Sequence, residues 1–535
     1  TAGINAMNLA NENYFTVSKT FDVHTINLVS GVSFQSSKNE FFRAEARDFK
    51  NEVLGYNSLQ GASQFLNSSS VDELFMASFL ARANYSFSDR YLATLSFRRD
   101  GTSRFINQKW GNFYSGALAW NIKNEAFLKD NALISTLKLR TSIGQVGNAS
   151  VPIQGALLDQ TYSNYTFNGQ IANGVSPSNL ENRNLTWETT QQQNTGLDFG
   201  LFNDNLNFTV DYYVTKTKDL LLLTPVTIST GFSQGWFNIG EIQNSGLEFS
   251  IDYSLKTKSD FVWNTKLNFT TTKNEIKALG SNGEPIYIDV NYDAICTDEV
   301  ILKVGGSIND LYGYQTEGIY KPEDFNADGT PKTGVATAGA GEKAGDIKYK
   351  DLNSDGKIDG FDRTVIGNTT AKIFGSWSNN FAYKGFDFDF VFQYSYGNDV
   401  FNASKTRISS FASGTSNQTT DWLNRWTPEN SGSTQYAGVP SLRPADYLVE
   451  DGSFIRLQSV SFGYNLPSSW TSKAKMKSVK VYFTANNLAL FTKYSGYDPE
   501  VTSNQVDHRY SFVQGFDYGG FPRAKTYMMG VKIQF

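Results

Sequence analysis

The chain lacks most of the residues on which enzyme and metal chemistry depend. Its 535 residues include a single cysteine, Cys296, so no disulfide can form within it. Two histidines, His24 and His508, leave little for histidine-based metal binding or proton transfer. No run of about 18 apolar residues occurs, which excludes a membrane-spanning helix. Positive charge is not in excess: the formal net charge is −5, which argues against nucleic acid, whose binding needs a basic face. There is no Gly-x-Ser-x-Gly, no Walker loop and no zinc spacing. The opening residues, TAGINAMNLANENY, carry neither the basic n-region nor the apolar h-region of a signal peptide, so a processed chain or a fragment is expected. Aromatic residues, by contrast, make up 15% of the chain. Disordered chains are poor in them and cannot bury enough apolar surface to fold. With 19% charged residues and a mean hydropathy of −0.38, the chain is polar on average yet rich in strand formers.

Strand periodicity reconciles those two properties. Leu247, Phe249, Ile251, Tyr253 and Leu255 alternate with Glu248, Ser250, Asp252, Ser254 and Lys256. After the polar turn 256–260, Phe261, Trp263, Leu267 and Phe269 oppose Asn264, Lys266 and Asn268. The pattern recurs at Leu206–Val214, where the apolar positions are separated by Asn207, Thr209 and Asp211, and at 386–396, where Phe386, Phe388, Phe390, Phe392, Tyr394 and Tyr396 alternate with Asp387, Asp389, Gln393 and Ser395. Such period-two runs of about ten residues match strands that cross a bilayer at a tilt. Aspartates would be costly in a dry sandwich core, whereas a barrel with lipid outside and water inside explains both faces.

Fifteen strands are expected, near 12–20, 23–34, 76–87, 90–99, 113–122, 136–145, 186–200, 205–217, 240–256, 261–272, 371–383, 386–398, 453–465, 478–488 and 523–535. Short connections (21–22, 88–89, 123–135, 201–204, 257–260, 384–385, 466–477) alternate with long ones (35–75, 100–112, 146–185, 218–239, 273–370, 399–452, 489–522). Outer-membrane barrels have short periplasmic turns and long extracellular loops in this way, and even strand counts, so at least one strand is expected before Thr1. At the other end, Tyr527, Met529, Val531, Ile533 and Phe535 form an outward stripe ending in an aromatic residue.

Several segments are more specific than the strand pattern alone. They include Tyr91-Leu-Ala-Thr-Leu-Ser-Phe-Arg-Arg-Asp-Gly-Thr-Ser-Arg-Phe105, Leu137-Lys-Leu-Arg-Thr-Ser-Ile-Gly-Gln-Val-Gly-Asn148 and Gly345-Asp-Ile-Lys-Tyr-Lys-Asp-Leu-Asn-Ser-Asp-Gly-Lys-Ile-Asp359. Further ones are Arg363-Thr-Val-Ile-Gly-Asn368, Asp421-Trp-Leu-Asn-Arg-Trp426, Glu450-Asp-Gly-Ser-Phe-Ile-Arg-Leu457 and Lys493-Tyr-Ser-Gly-Tyr-Asp-Pro-Glu500. Together these segments resemble the SusC/RagA family of TonB-dependent transporters of Bacteroidetes, a resemblance that runs from about residue 80 to the C-terminus. It implies a 22-stranded barrel with an N-terminal plug, a SusD-like lipoprotein lid over its extracellular mouth, and import of oligosaccharides or peptides energised by TonB. Neither a plug nor a TonB box is recognised in this sequence, so it is expected to hold only part of that pattern.

One local motif carries metal-binding chemistry. Asp351, Asn353, Asp355, Asp359 and Asp362 fall at positions 1, 3, 5, 9 and 12 of a calcium loop, with Gly356 at position 6 and the Lys357 carbonyl at position 7. Calcium there would stiffen the connection 273–370. The same residues also suit a polar turn. Asn326-Ala-Asp-Gly-Thr330 lacks downstream ligands and is read as a turn. Asp387 and Asp389 could imitate a glycosidase pair, but on alternate strand positions they are read as lumen-facing and solvated. Trp422, Trp426, Tyr494 and Tyr497 lie in or beside long loops, where they could stack on sugars, bind a lid or pack loops together. Tyr383, Phe386, Tyr394 and Tyr396 are read as girdle residues at strand ends.

The expectation is therefore an all-β, antiparallel transmembrane barrel of the outer membrane, with residues 1–535 forming the C-terminal part of one barrel domain and the plug and first strands absent. The function expected is TonB-dependent nutrient import rather than catalysis. Its partners would be a SusD-like surface lipoprotein, TonB through a part outside this sequence, outer-membrane lipid, and an oligosaccharide or peptide, with Ca2+ as a structural ion and no nucleic acid. The alternatives are a plug-less passive porin and a barrel that anchors a surface complex. No residue is assigned to substrate.

Overall fold

A computed structural model describes residues 2–51, 53, 57–151, 153–258, 260–280, 283–290, 297–409, 417–438, 443–501 and 513–535. Cys296 and His508 lie outside the described residues. Each of the fifteen expected strands is a strand: β1 (Ala2–Phe21), β2 (His24–Phe49), β3 (Ala62–Phe87), β4 (Tyr91–Thr102), β5 (Trp110–Asn121), β6 (Ile134–Asn148), β7 (Glu188–Leu201), β8 (Leu206–Lys218), β9 (Gly240–Lys256), β10 (Val262–Thr271), β11 (Ile373–Tyr383), β12 (Phe386–Tyr396), β13 (Phe454–Asn465), β14 (Ser478–Thr492) and β15 (Thr526–Gln534). No helix is long and apolar enough to cross a membrane.

The chain divides into two compact units. In the first, β1 to β6 pair antiparallel in chain order. The tight turns use left-handed backbone: Asp22 has φ 52°, and Ser88 and Asp89 have φ 52° and 53°. Leu28, Ala83 and Leu95 share a row across β2, β3 and β4, and the neighbouring row is Asn27, Asn84 and Thr94. The second row is knitted by side chains, with the Thr94 hydroxyl donating to Asn84 Oδ1 at 2.9 Å. One face is thus apolar and the other polar, as the alternation requires. Phe105, Val151, Leu185 and Trp187 of the connections form a separate buried cluster with Phe113 of β5.

The connection 35–75 departs from expectation. Residues 35–49 and 62–75 are not a loop; they extend the β2–β3 pairing without a break from His24↔Phe87 to Arg47↔Gln64. Twenty-six residues at about 3.3 Å each reach far beyond the nine to eleven needed to cross a bilayer. Past the membrane both faces are wet, so the alternation fades, while backbone pairing continues because it needs none.

In the second unit β9, β10, β11, β12, β13, β14 and β15 also pair antiparallel. The β11–β12 hairpin closes through Lys384 and Gly385, both at positive φ (47° and 88°), the geometry of a two-residue type I′ turn. On one face the polar side chains form a ladder. Asn264 donates to Asn380 (3.1 Å), Asn380 donates to Asp389 (2.6 Å), and Lys480 pairs with Asp387 (2.8 Å). The other face is aromatic. Trp263 stacks on Phe381 with centroids 6.0 Å apart, Phe381 on Phe388 at 6.3 Å, and Trp377 on Phe392 at 6.1 Å. The aspartates thus lie on the polar face, as the alternation predicted. Tyr383, Phe386 and Tyr396 are exposed at strand ends, whereas Tyr394 lies over Gly375 and donates to the Asn268 carbonyl. On β15 the exposed stripe is Tyr527, Met529, Val531, Ile533 and Phe535.

Candidate functional site at the loop ends of the second unit

The long connections of the second unit are structured rather than loose. Asp399–Asn402 pairs antiparallel with Val449–Asp451 and parallel with Phe516–Asp517. Three segments distant in sequence therefore meet in one small sheet. The Glu450 carboxylate anchors it, accepting from Asn402 Nδ2 (2.9 Å), Ser495 N (2.8 Å) and Ser495 Oγ (2.8 Å), and pairing with Lys405 (2.7 Å). Burial alone would raise this carboxyl, but Lys405, Ser495 and Asn402 outweigh burial and hold it below its ordinary range. Asp399 takes the Asn368 amide at 2.8 Å, which ties Arg363–Asn368 to the same sheet. Its carboxyl is pushed up by burial.

Beside this sheet lies a buried ionic cluster. Arg456, on β13, is only 3% exposed at its side chain; one guanidinium nitrogen meets Asp498 at 2.6 Å and Glu500 at 2.9 Å. Arg523 pairs with Glu500 at 3.2 Å, and Gln393 of β12 donates to Glu500 at 3.2 Å. A buried charge is tolerable only when paired and hydrogen-bonded. Two strand residues thus fix the position of 498–500. A cavity of about 420 Å³ opens here, with Phe374, Gln393, Asn398, Glu500 and Arg523 on its wall. An aromatic ring, amides and a fixed ion pair can hold hydroxyl or peptide groups by stacking and hydrogen bonding.

A second loop sheet is formed by Ile286–Ile288, Val300–Leu302, Asp310–Tyr314 and Arg363–Asn368. Glu299 is buried at its edge. One carboxylate oxygen accepts from Val290 N at 2.9 Å, and the other meets no donor among the described residues. Burial pushes this carboxyl up to about 7; the Val290 amide opposes the shift and Asp289 and Asp298 add to it. Arg363 crosses the Tyr312 ring at 4.5 Å and donates to the Asp298 carbonyl at 2.5 Å.

The expected calcium loop is a folded turn. Asp351 accepts from Ser354 N (2.6 Å) and Gly356 N (2.8 Å), Asn353 from Asp355 N (3.0 Å), and Asp355 from Lys357 N (2.8 Å). Asp359 accepts from Phe361 N (2.8 Å), and the fully buried Asp362 from Leu352 N (2.8 Å) and Asp359 N (2.9 Å). Gly356 has φ 81°, the left-handed backbone that position 6 requires. The carboxylates turn onto backbone amides, and no group of three His, Cys, Asp or Glu converges at metal-holding distance among the described residues. Each amide uses one lone pair of its oxygen and leaves another free. Asn326–Thr330 is a turn, as read, with the Thr330 hydroxyl on Asp328 at 2.6 Å. Trp422, Trp426 and Tyr494 are buried and pack loops together, whereas Tyr497 is 76% exposed. His24 opens β2 and shares a 2.7 Å hydrogen bond with Tyr85 Oη.

The Arg456 cluster and the Glu450 anchor were not assigned in the sequence. Their residues stand in the motifs that carried the resemblance, 450–457 and 493–500, but their role needs partners some forty residues away.

Two-faced strands joined by short turns and long structured loops define a β-barrel of the outer membrane. The chain belongs to the TonB dependent receptor-like, beta-barrel family, whose model matches residues 3–319. It is 36% identical over 536 residues to TonB-dependent receptor P3 of Formosa agariphila, covering 99% of this chain and 52% of that one. It is 32% identical over 477 residues to TonB-dependent receptor SusC of Bacteroides thetaiotaomicron, covering 86% of this chain and 44% of SusC. Among solved structures, the RagAB peptide transporter matches with a TM-score of 0.84 at 24% identity, over 100% of this chain and 56% of that one. The chain spans about half the length of the curated relatives it matches.

Proposed function

We propose that the chain supplies the barrel wall and extracellular loops of a TonB-dependent importer, one that takes an oligosaccharide or peptide across the outer membrane beneath a SusD-like lipoprotein lid. The observation that carries this reading is the polar ladder of Asn264, Asn380, Asp389, Asp387 and Lys480 on the face opposite the aromatic band. A wall wet on one side and lipidic on the other encloses a route for a polar solute. The cavity beside Arg523 and Glu500 offers hydrogen-bonding groups at the loop ends, and the loop sheets present a rigid surface to a lid. The role is transport, with no catalytic step. The reading is tested in the producing cells. Deleting the gene, or the gene for TonB, should abolish uptake of a fluorescently labelled oligosaccharide or peptide on which wild-type cells grow. The native protein should also bring down a surface lipoprotein. Uptake that survives loss of TonB would instead mean a passive pore, and a lipoprotein complex without uptake would mean an anchor.

We further propose that the 351–362 turn takes one calcium ion through Asp351, Asn353, Asp355, the Lys357 carbonyl, Asp359 and Asp362. The spacing and the left-handed Gly356 support it. Calorimetric titration with CaCl2 should give one site, lost in D355A. Heat identical for the two proteins would remove the proposal.

A further inference from the structure

Three successive hairpins of the second unit, β9–β10, β11–β12 and β13–β14, lie side by side in its sheet, so their turns share one edge. Those turns, 257–260, 384–385 and 466–477, hold Lys258, Lys384, Lys473, Lys475 and Lys477 against a single carboxylate, Asp260. All five lysines are exposed, and none has a carboxylate within ion-pair distance among the described residues. Paired strands run about 4.8 Å apart, so one turn is about 10 Å from the next and the charges crowd along about 20 Å. Like charges that close repel one another across roughly one screening length unless an anion lies among them. The turns of the first unit do not repeat this. They carry Asp22, Asp89, Glu125 and Asp130 against Arg90, Lys123 and Lys129, with Arg90 on Glu125 at 3.1 Å.

The same edge is aromatic on its lipid-facing side. Tyr383 and Phe386 are register partners in line with Phe381 and Phe388, at the end of the aromatic band. The Lys384 ammonium folds back over that side, 5.1 Å from the centre of the Tyr383 ring. Phe386 packs on Tyr464 with centroids 4.3 Å apart, and Trp470, inside the third turn, is 61% exposed. On the polar face, by contrast, Lys480 is held by Asp387 at 2.8 Å. Exposed rings beside unpaired lysines mark a membrane–water boundary, where the ring sits at headgroup level and the stem carries its charge to the surface.

We propose that this lysine rim binds anionic phospholipid headgroups of the leaflet that the short turns meet. The binding is electrostatic and loose, because an ammonium is a point charge on a flexible stem and no one lysine defines a pocket. The test is native mass spectrometry of the native protein in detergent, given equal amounts of phosphatidylglycerol and phosphatidylcholine. The anionic lipid should be retained at least about fivefold more, the share of a single lysine near an anionic surface. K258Q/K384Q/K473Q/K475Q/K477Q should bring the two lipids to parity, while arginine at the same five positions should keep the preference. Raising ammonium acetate from about 0.1 M to about 1 M shortens the screening length from about 10 Å to about 3 Å and should abolish the preference of the unchanged protein. That arm stands even where the glutamine variant fails to fold. Equal retention of the two lipids by the unchanged protein overturns the proposal, and so does a preference that survives either the glutamine changes or the salt. Binding of decaglutamate without preference between the lipids also overturns it, and would assign the rim to an acidic protein segment.

Discussion

Replacing Glu299 by glutamine will remove a pH dependence from the loop sheet that this residue borders. The folded carboxyl keeps its proton up to about 7, against 4.5 for a free glutamate, because it is buried with one oxygen unpartnered among the described residues. Between those values the folded form binds more protons than the unfolded one, so the sheet loses stability as pH rises from 4.5 to 7 and is level above. A gap of about 2.5 units at about 1.4 kcal/mol each sets the loss at roughly 3 kcal/mol. The groups around the carboxyl are the Val290 amide, which favours the charged form, and Asp289 and Asp298, which oppose it. Hydrogen exchange of the Val300–Leu302 and Asp310–Tyr314 amides at pH 5 and pH 8, corrected for intrinsic rates, reads the effect directly. Wild-type protection should fall across that interval by most of 3 kcal/mol, while Glu299→Gln should stay level. A level wild type, or an equal fall in the variant, would refute the assignment of a buried, protonated Glu299.

Three further outcomes are expected. Arg456→Met leaves Asp498 and Glu500 buried without their shared cation and should cost about 3–5 kcal/mol locally. Most of this falls on Asp498, since Glu500 keeps Arg523, and it should show as faster proteolysis of 493–501. Arg456→Lys should recover part of the loss, because a single guanidinium nitrogen makes both ion pairs and an ammonium can supply that charge. On the aromatic face, Phe381→Arg should destabilise the refolded protein by about 2–4 kcal/mol in urea titrations, whereas Asp389→Asn on the polar face should change it little. Calcium chloride should raise the protection of the 351–362 amides, and Asp351→Asn should reduce that gain.

The fifteen strands were legible because alternation is a local property. A strand with one face in lipid and one in water writes its two environments into successive residues, as 386–396 does. Where that contrast ends, so does the signal. The upper β2–β3 hairpin is paired residue for residue up to Arg47↔Gln64, yet its Ser, Asn and Glu lie in water on both sides and read as loop. The loop sheets were missed for a related reason. Strands of three or four residues, such as Val449–Asp451 and Asp399–Asn402, are too short to show a period and form only because the main strands bring their ends together.

The candidate site divides in the same way. The turn at 351–362 was readable because its donors and acceptors lie within twelve residues, and hydrogen bonding inside it is nearly all local. The Arg456 cluster was not, since its carboxylates stand 42 and 44 positions further on. Nothing in the spacing distinguishes Asp498 from a solvated aspartate. The sequence by itself determined the class of wall, its strands and which face meets lipid, because these follow from the transfer of single side chains between water and hydrocarbon. Tertiary structure alone decided which loops meet, which charges are buried and where a hollow is left, because each depends on desolvating groups that only the folded chain places side by side.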